Sequence, residues 1–126
     1  MNVPRNVLRF EVLMYISLML DAISVAVQDR SPTAENTDTA IMVLTILNGI
    51  EIAVLTFFVY LAAQGRRNWP RWVLLVMQVL ASISLWLFLR DKGMTLDAGI
   101  EIISCVLTTI GLYYSFTGDA RGWFNA

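Results

Sequence analysis

Four long apolar stretches restrict the fold of this chain more than any other feature. They cover residues 8–27, 40–63, 71–89 and 96–116, and each has about the 20 residues that a helix needs to cross a bilayer. Inside a bilayer the backbone must satisfy its own hydrogen bonds, so such segments form helices. We therefore predict an all-α integral membrane protein, a single domain with four transmembrane helices and a tail over 117–126.

The connections between the stretches predict how the helices are arranged. The segments 28–39, 64–70 and 90–95 are short, and short connections place consecutive helices side by side and antiparallel. The expected fold is an up-down-up-down four-helix bundle. Six of the nine basic residues lie near the N-terminus, around the second connection and in the tail. Because Lys and Arg accumulate on the cytoplasmic side, we expect both termini in the cytoplasm.

Carboxylic acids inside the apolar stretches are the strongest functional signal. Glu51 lies near the middle of its stretch, and Asp21 and Glu101 lie toward the outer side of theirs. No Lys or Arg lies in the interior of any stretch. A charge in hydrocarbon is costly, so each acid needs a partner, a proton or a water-filled cavity. Glu11 differs, since it lies near the cytoplasmic interface where a nearby arginine can pair with it.

Helical spacing predicts that further polar residues share faces with these acids. Residues three or four positions apart lie on one side of a helix, and a polar side must turn toward other helices. The first stretch has Ser17 and Ser24 beside its acid, and the fourth has Ser104 and Thr108. The candidate polar cluster consists of Asp21, Asn48, Glu51, Gln78 and Glu101.

Three interpretations of this polar cluster stay open. Neutral acids can form a structural seam with Asn, Gln, Ser and Thr, because burial disfavours the charged form. Alternatively, the acids form a path for protons or cations. In the third interpretation, an acid pairs with a basic group on another membrane protein.

Several chemistries are excluded by what the sequence lacks. There is no histidine, which removes His-based metal sites, haem ligation and His general bases. The lone Cys105 has the place of a small apolar packing residue. No nucleophile–base pair, phosphate loop or dinucleotide fingerprint is present, and the net charge of −1 does not favour nucleic acid. We expect no enzymatic activity, metal or cofactor.

Aromatic and basic residues gather on the predicted cytoplasmic side. Trp and Tyr concentrate at membrane–water interfaces, where their rings meet the headgroups. We therefore predict interface anchors at Trp69, Arg71, Trp72, Arg121, Trp123 and Phe124.

Two segments carry a resemblance to a known group of proteins. Residues 65–76 read GRRNWPRWVLLV, and residues 114–124 read YSFTGDARGWF. They resemble small four-helix inner-membrane proteins of bacteria, which have a GRNWAR-like stretch before the third helix and an FTxxARxWF-like tail. Pro70 stands where that pattern often has alanine. The resemblance implies the fold and a bacterial inner membrane, and it implies no activity.

Three functions are compatible with these observations. The favoured hypothesis is a non-enzymatic accessory or assembly protein that lies in the lipid bilayer and binds itself or another membrane protein. The second is a small oligomeric transporter or channel for protons or cations that uses the intramembrane carboxylates. The third is an immunity protein against a membrane-acting toxin.

Overall fold

The computed structural model describes residues 3–27, 34 and 37–124. Over these residues the chain is helical and has no strand. The helices are α1 (Arg5–Val27), α2 (Asp38–Ala63), α3 (Trp69–Lys92) and α4 (Leu96–Phe116), followed by a 3₁₀ turn at Gly118–Ala120. All four α-helices are long and apolar enough to cross a membrane. The predicted all-α class is thus confirmed, as are four helices long and apolar enough to cross a membrane.

The helices extend slightly beyond the apolar stretches because their terminal turns are polar. Helix α2 begins at Asp38, and the Thr37 hydroxyl caps it by accepting a 3.3 Å hydrogen bond from the Ala40 N–H. Thr95 caps α4 in the same way, with 3.2 Å to the Ala98 N–H. Such caps satisfy backbone donors that the first turn leaves free.

Helices α1 and α4 share the most extensive contact in the bundle. The Ser24 hydroxyl of α1 donates to the carbonyl oxygen of Asp97, 3.3 Å away at the beginning of α4. Near the other end of α4, a Cβ on Gly111 would lie 3.4 Å from the Met14 sulfur. Since later residues of α1 meet earlier residues of α4, the two helices are antiparallel, and small residues permit their close approach.

Helices α2 and α3 are buried only near the connection between them. Their buried residues are Val59, Ala62 and Ala63 in α2 and Pro70 and Leu74 in α3. We call this end of the bundle the closed end. It also holds the beginning of α1 and the residues after α4, which join one apolar core with the end of α2. At the opposite, open end, most side chains of α2 and α3 are exposed.

The C-terminal segment folds back onto the beginning of α1. The two carboxylate oxygens of Asp119 accept hydrogen bonds from the backbone N–H groups of Arg5, at 3.1 Å, and Asn6, at 2.9 Å. The Asn6 side-chain amide donates to the carbonyl oxygen of Thr117 at 2.9 Å. Asp119 therefore caps the N-terminus of α1 from the tail, whereas an N-cap residue normally belongs to the helix that it caps.

Candidate functional site

The five residues of the predicted polar cluster line one cavity between the four helices. Asp21 comes from α1, Asn48 and Glu51 from α2, Gln78 from α3 and Glu101 from α4. The cavity has a volume of about 180 Å³, and its remaining lining is mostly apolar. Among the described residues, none of those that line it is basic. Every helix thus brings at least one polar group to the same interior space.

Among the acids of the cluster, Asp21 is hydrogen-bonded to another helix through Ser104 of α4. The Ser104 hydroxyl donates to the carbonyl oxygen of Ser17 at 3.0 Å and lies 2.5 Å from Asp21 Oδ1. A serine hydroxyl has one hydrogen, so Ser104 shares it between the Asp21 carboxyl oxygen and the Ser17 carbonyl oxygen. This shared contact joins α1 to α4.

Glu101 lies one turn nearer the open end and is half-buried. Its carboxyl group lies beside the Ser24 hydroxyl, and it interacts electrostatically with Asp21, Glu51 and Asp97. In the described part of the chain, no group of three or more Asp, Glu or Cys side chains is arranged to hold a metal ion. The carboxyl groups are thus neighbours through space without forming a ligand set.

Glu51 is the acid of the cluster with the fewest contacts to other polar groups of the described chain. It lies near the middle of α2, and its side chain is exposed although it lines the cavity. No described residue donates a hydrogen bond to its carboxyl group. A carboxyl group at such a depth in a membrane needs cover from water, a proton or another polar group. Glu51 is therefore the acid of the cavity whose side chain the described residues cover least.

The cavity continues into a groove toward the open end. This side groove has a volume of about 500 Å³ and shares Glu51 and Glu101 with the cavity. One wall is a face of α3, the other is the beginning of α4 with Asp97, and Glu51 forms the inner end. Polar groups thus follow one another from the mouth of the groove to the middle of α2.

Gln78 acts mainly as a link between α3 and α4. Its Nε2 donates to the carbonyl oxygen of Cys105 at 3.1 Å and to the Thr109 hydroxyl at 3.2 Å. Thr109 in turn donates to the same carbonyl oxygen at 2.8 Å. The sequence placed Gln78 in the polar cluster but did not identify Thr109, because that residue lies off the face shared by Glu101 and Ser104.

The predicted interface anchors do not all face outward. Trp69 and Trp72 are 52% and 50% exposed, as an interface position requires. Phe124 is only 2% exposed and packs edge-to-face on Phe10 with 5.9 Å between the ring centroids. Arg71 donates to the carbonyl oxygen of Ser115 at 2.7 Å and stacks over the Phe124 ring at 4.5 Å. The anchor role predicted for Phe124 is therefore wrong, since its ring belongs to the core.

Trp123 also contacts other residues of the bundle and does not only face the membrane interface. Its indole N–H donates to the carbonyl oxygen of Ala63 at 2.9 Å, and the Arg66 guanidinium lies 4.3 Å from the ring centroid. Arg121 remains exposed. Glu11 accepts a 2.8 Å hydrogen bond from Gln64, not from the arginines beside which the sequence placed it. These contacts join the tail, α1 and α2 at the closed end.

No family model matches this chain, and no curated protein or solved structure matches it. The resemblance in residues 65–76 and 114–124 therefore stays a prediction.

Proposed function

We propose that this chain is a small non-enzymatic membrane protein that acts by binding another membrane protein. The observation that carries the proposal is the exposed Glu51 carboxyl group at the middle of an apolar helix. An ionisable group at that depth is expensive unless protein or water surrounds it. The chain itself leaves this side uncovered, so a second protein is the simplest source of the missing contacts.

The placement of the chain in the membrane is part of the same proposal. We infer an up-down-up-down bundle in a bacterial inner membrane with both termini in the cytoplasm. The closed end carries most of the basic residues, together with the exposed Trp69 and Trp72. Basic residues favour the cytoplasmic side, and exposed tryptophans favour the interface. The open end, with the mouth of the side groove, then faces the outer half of the bilayer.

Mild extraction of the tagged chain from its native host tests partner binding. The proposal predicts a second membrane protein in a fixed ratio, which intact-mass analysis of the complex will give directly. A chain that is recovered alone, or only as copies of itself, contradicts the proposal.

Proton or cation transport is the second candidate, and one observation favours it. Asp97, Glu101 and Glu51 line the side groove in succession, from its mouth to the cavity. A row of acids of this kind is typical of proton and cation paths. Proton flux in liposomes that contain the purified chain tests it. Flux that Glu51→Gln abolishes, in a variant that stays folded, would favour transport over partner binding.

A further inference from the structure

The wall that α3 contributes to the side groove has the pattern of a helix-packing face. It consists of Met77, Leu80, Ala81, Ser84, Leu85 and Phe88. Their spacing of three and one repeats over three turns, about 16 Å of helix. This is the spacing with which one helix receives another. No helix of the described chain fills this face, since Leu80, Ala81 and Ser84 are exposed.

The size of the side chains along this face fits a helical occupant. Ala81 and Ser84 are small and lie one turn apart, between the larger Met77 and Phe88. In membranes, small residues on a contact face let two helix backbones approach closely. This part of the α3 face therefore allows a transmembrane helix to come near.

The charge of the groove restricts which helix can enter. Glu51 and Glu101 line its inner part, and Asp97 lies near its mouth. Among the described residues, none that lines the groove is basic. Carboxylates in such surroundings are best matched by a cationic side chain that approaches from outside the chain.

A second copy of this chain does not provide that match. In the sequence, every Lys and Arg lies at the end of an apolar stretch or outside the stretches, and none lies at mid-helix. A helix from a second copy would bring acidic, neutral polar or apolar residues to Glu51, so no cationic side chain would reach the acids. Charge complementarity therefore favours a different protein.

We propose that the side groove receives a transmembrane helix of a partner protein, and that a Lys or Arg on this helix pairs with Glu51 and Glu101. The apolar residues of the α3 face pack against the same helix, above and below the basic residue. This inference rests on the proposed function and adds to it the contact face, the chemistry of the partner and the depth of its charge.

Binding of synthetic helices in lipid nanodiscs tests the inference without knowledge of the natural partner. The probe is a Leu/Ala transmembrane peptide with one Lys in the half that faces the open end of the chain. The matched peptide has Leu at that position. Energy transfer between labelled peptide and labelled chain gives the affinity. We expect the Lys peptide to bind at least about tenfold more tightly, because breaking a buried ion pair is strongly unfavourable.

Variants of the chain test whether the tighter binding of the Lys peptide depends on the groove. Combined Glu51→Gln and Glu101→Gln substitutions keep the side-chain shape and should remove the preference for Lys. Glu11→Gln, which changes an acid outside the groove, should retain it. Ala81→Trp fills the groove and should weaken binding of both peptides, which gives a second test should the double variant fold poorly.

Three results would overturn the inference. One is equal binding of the Lys and Leu peptides to the wild-type chain, and another is a preference for Lys that survives the double Gln variant. The third is self-association of the chain that Ala81→Trp abolishes, because the groove would then hold a second copy. If extraction yields a stoichiometric partner but the two peptides bind equally, the proposed function stands and this inference fails.

Discussion

The Ser104 hydroxyl lies 2.5 Å from Asp21 Oδ1 and joins the two helices that share the most extensive contact, α1 and α4. The same hydroxyl donates to the carbonyl oxygen of Ser17 at 3.0 Å. The one hydrogen of this hydroxyl is shared between a backbone acceptor of α1 and the Asp21 side chain. This separates the roles of the acids: Asp21 holds the bundle together, while Glu51 and Glu101 face the side groove.

Substitutions at Asp21 test this role. Asp21→Asn keeps an oxygen that accepts the hydrogen bond from Ser104 and should leave the free energy of unfolding within about 0.5 kcal/mol of the wild type. Asp21→Ala leaves Ser104 without that acceptor and should cost about 0.6–2 kcal/mol, the range of interhelical hydrogen bonds in membranes. Reversible unfolding in mixed detergent micelles measures both. An Asn variant as unstable as the Ala variant would contradict this role of Asp21.

The contact between the tail and α1 predicts a strong effect at Gly118. Its φ of +61° is one that residues with a side chain rarely adopt, and a Cβ there would collide with the Asn6 amide. Gly118→Ala should therefore cost about 1–3 kcal/mol of unfolding free energy. Gly49 is the matched control, because nothing lies within 4 Å of its added Cβ and its backbone is helical.

The control substitution Gly49→Ala should change the free energy of unfolding in the opposite direction or not at all. Gly49→Ala should be neutral or stabilise the protein by up to about 1 kcal/mol, since alanine is the better helix former. The same unfolding assay applies. Equal effects of the two substitutions would show that Gly118 is not constrained by Asn6.

Removal of the Asp119 carboxylate should loosen the beginning of α1. Asp119→Ala leaves the N–H groups of Arg5 and Asn6 without their acceptor, and lost caps cost about 0.5–2 kcal/mol. Hydrogen exchange at these two amides should accelerate, while exchange in the middle of α4 stays unchanged. Unaltered protection at Arg5 and Asn6 would contradict the capping role. Asp119→Asn, which keeps one acceptor oxygen, should lie between the wild type and Asp119→Ala.

The contacts of Trp123 at the closed end predict that this residue stabilises the fold, in addition to its predicted place at the membrane interface. Trp123→Phe keeps an aromatic ring for Arg66 but loses the hydrogen bond to the carbonyl oxygen of Ala63. We expect a loss of about 1 kcal/mol in unfolding free energy. Trp72→Phe is the control, since Trp72 is half exposed and packs on Phe116. A larger loss of unfolding free energy for Trp72→Phe than for Trp123→Phe would contradict the stabilising role of Trp123.

The sequence was sufficient to predict the four helices, and the five polar residues that it singled out line one cavity. Apolar stretches of bilayer length have few alternatives to helices, and the 3–4 spacing put Ser104 on the same face as Glu101. It could not pair Ser104 with Asp21, because spacing gives the face of each helix but not the depth at which two helices meet.

The tail shows a second limit of sequence reasoning. Aromatic and basic residues at the end of a membrane helix are typical both of a lipid anchor and of a segment that folds onto the bundle. For Phe124 the second case holds, because Phe10 and Arg71 offer it a packing site that only the folded chain creates. The open end also could not be predicted, since helix lengths do not show where helices separate.

Photo-cross-linking in native membranes tests the central claim, that a partner protein covers the side groove. A leucine-sized photoreactive amino acid in place of Leu80, which lines the groove and is 54% exposed, places the probe there without added bulk. The same amino acid at Met19, which is 65% exposed on α1, places the probe on the outer surface. We predict a cross-link from position 80 to one other membrane protein and none to that protein from position 19. No protein product from position 80, or the same products from both positions, would contradict the account.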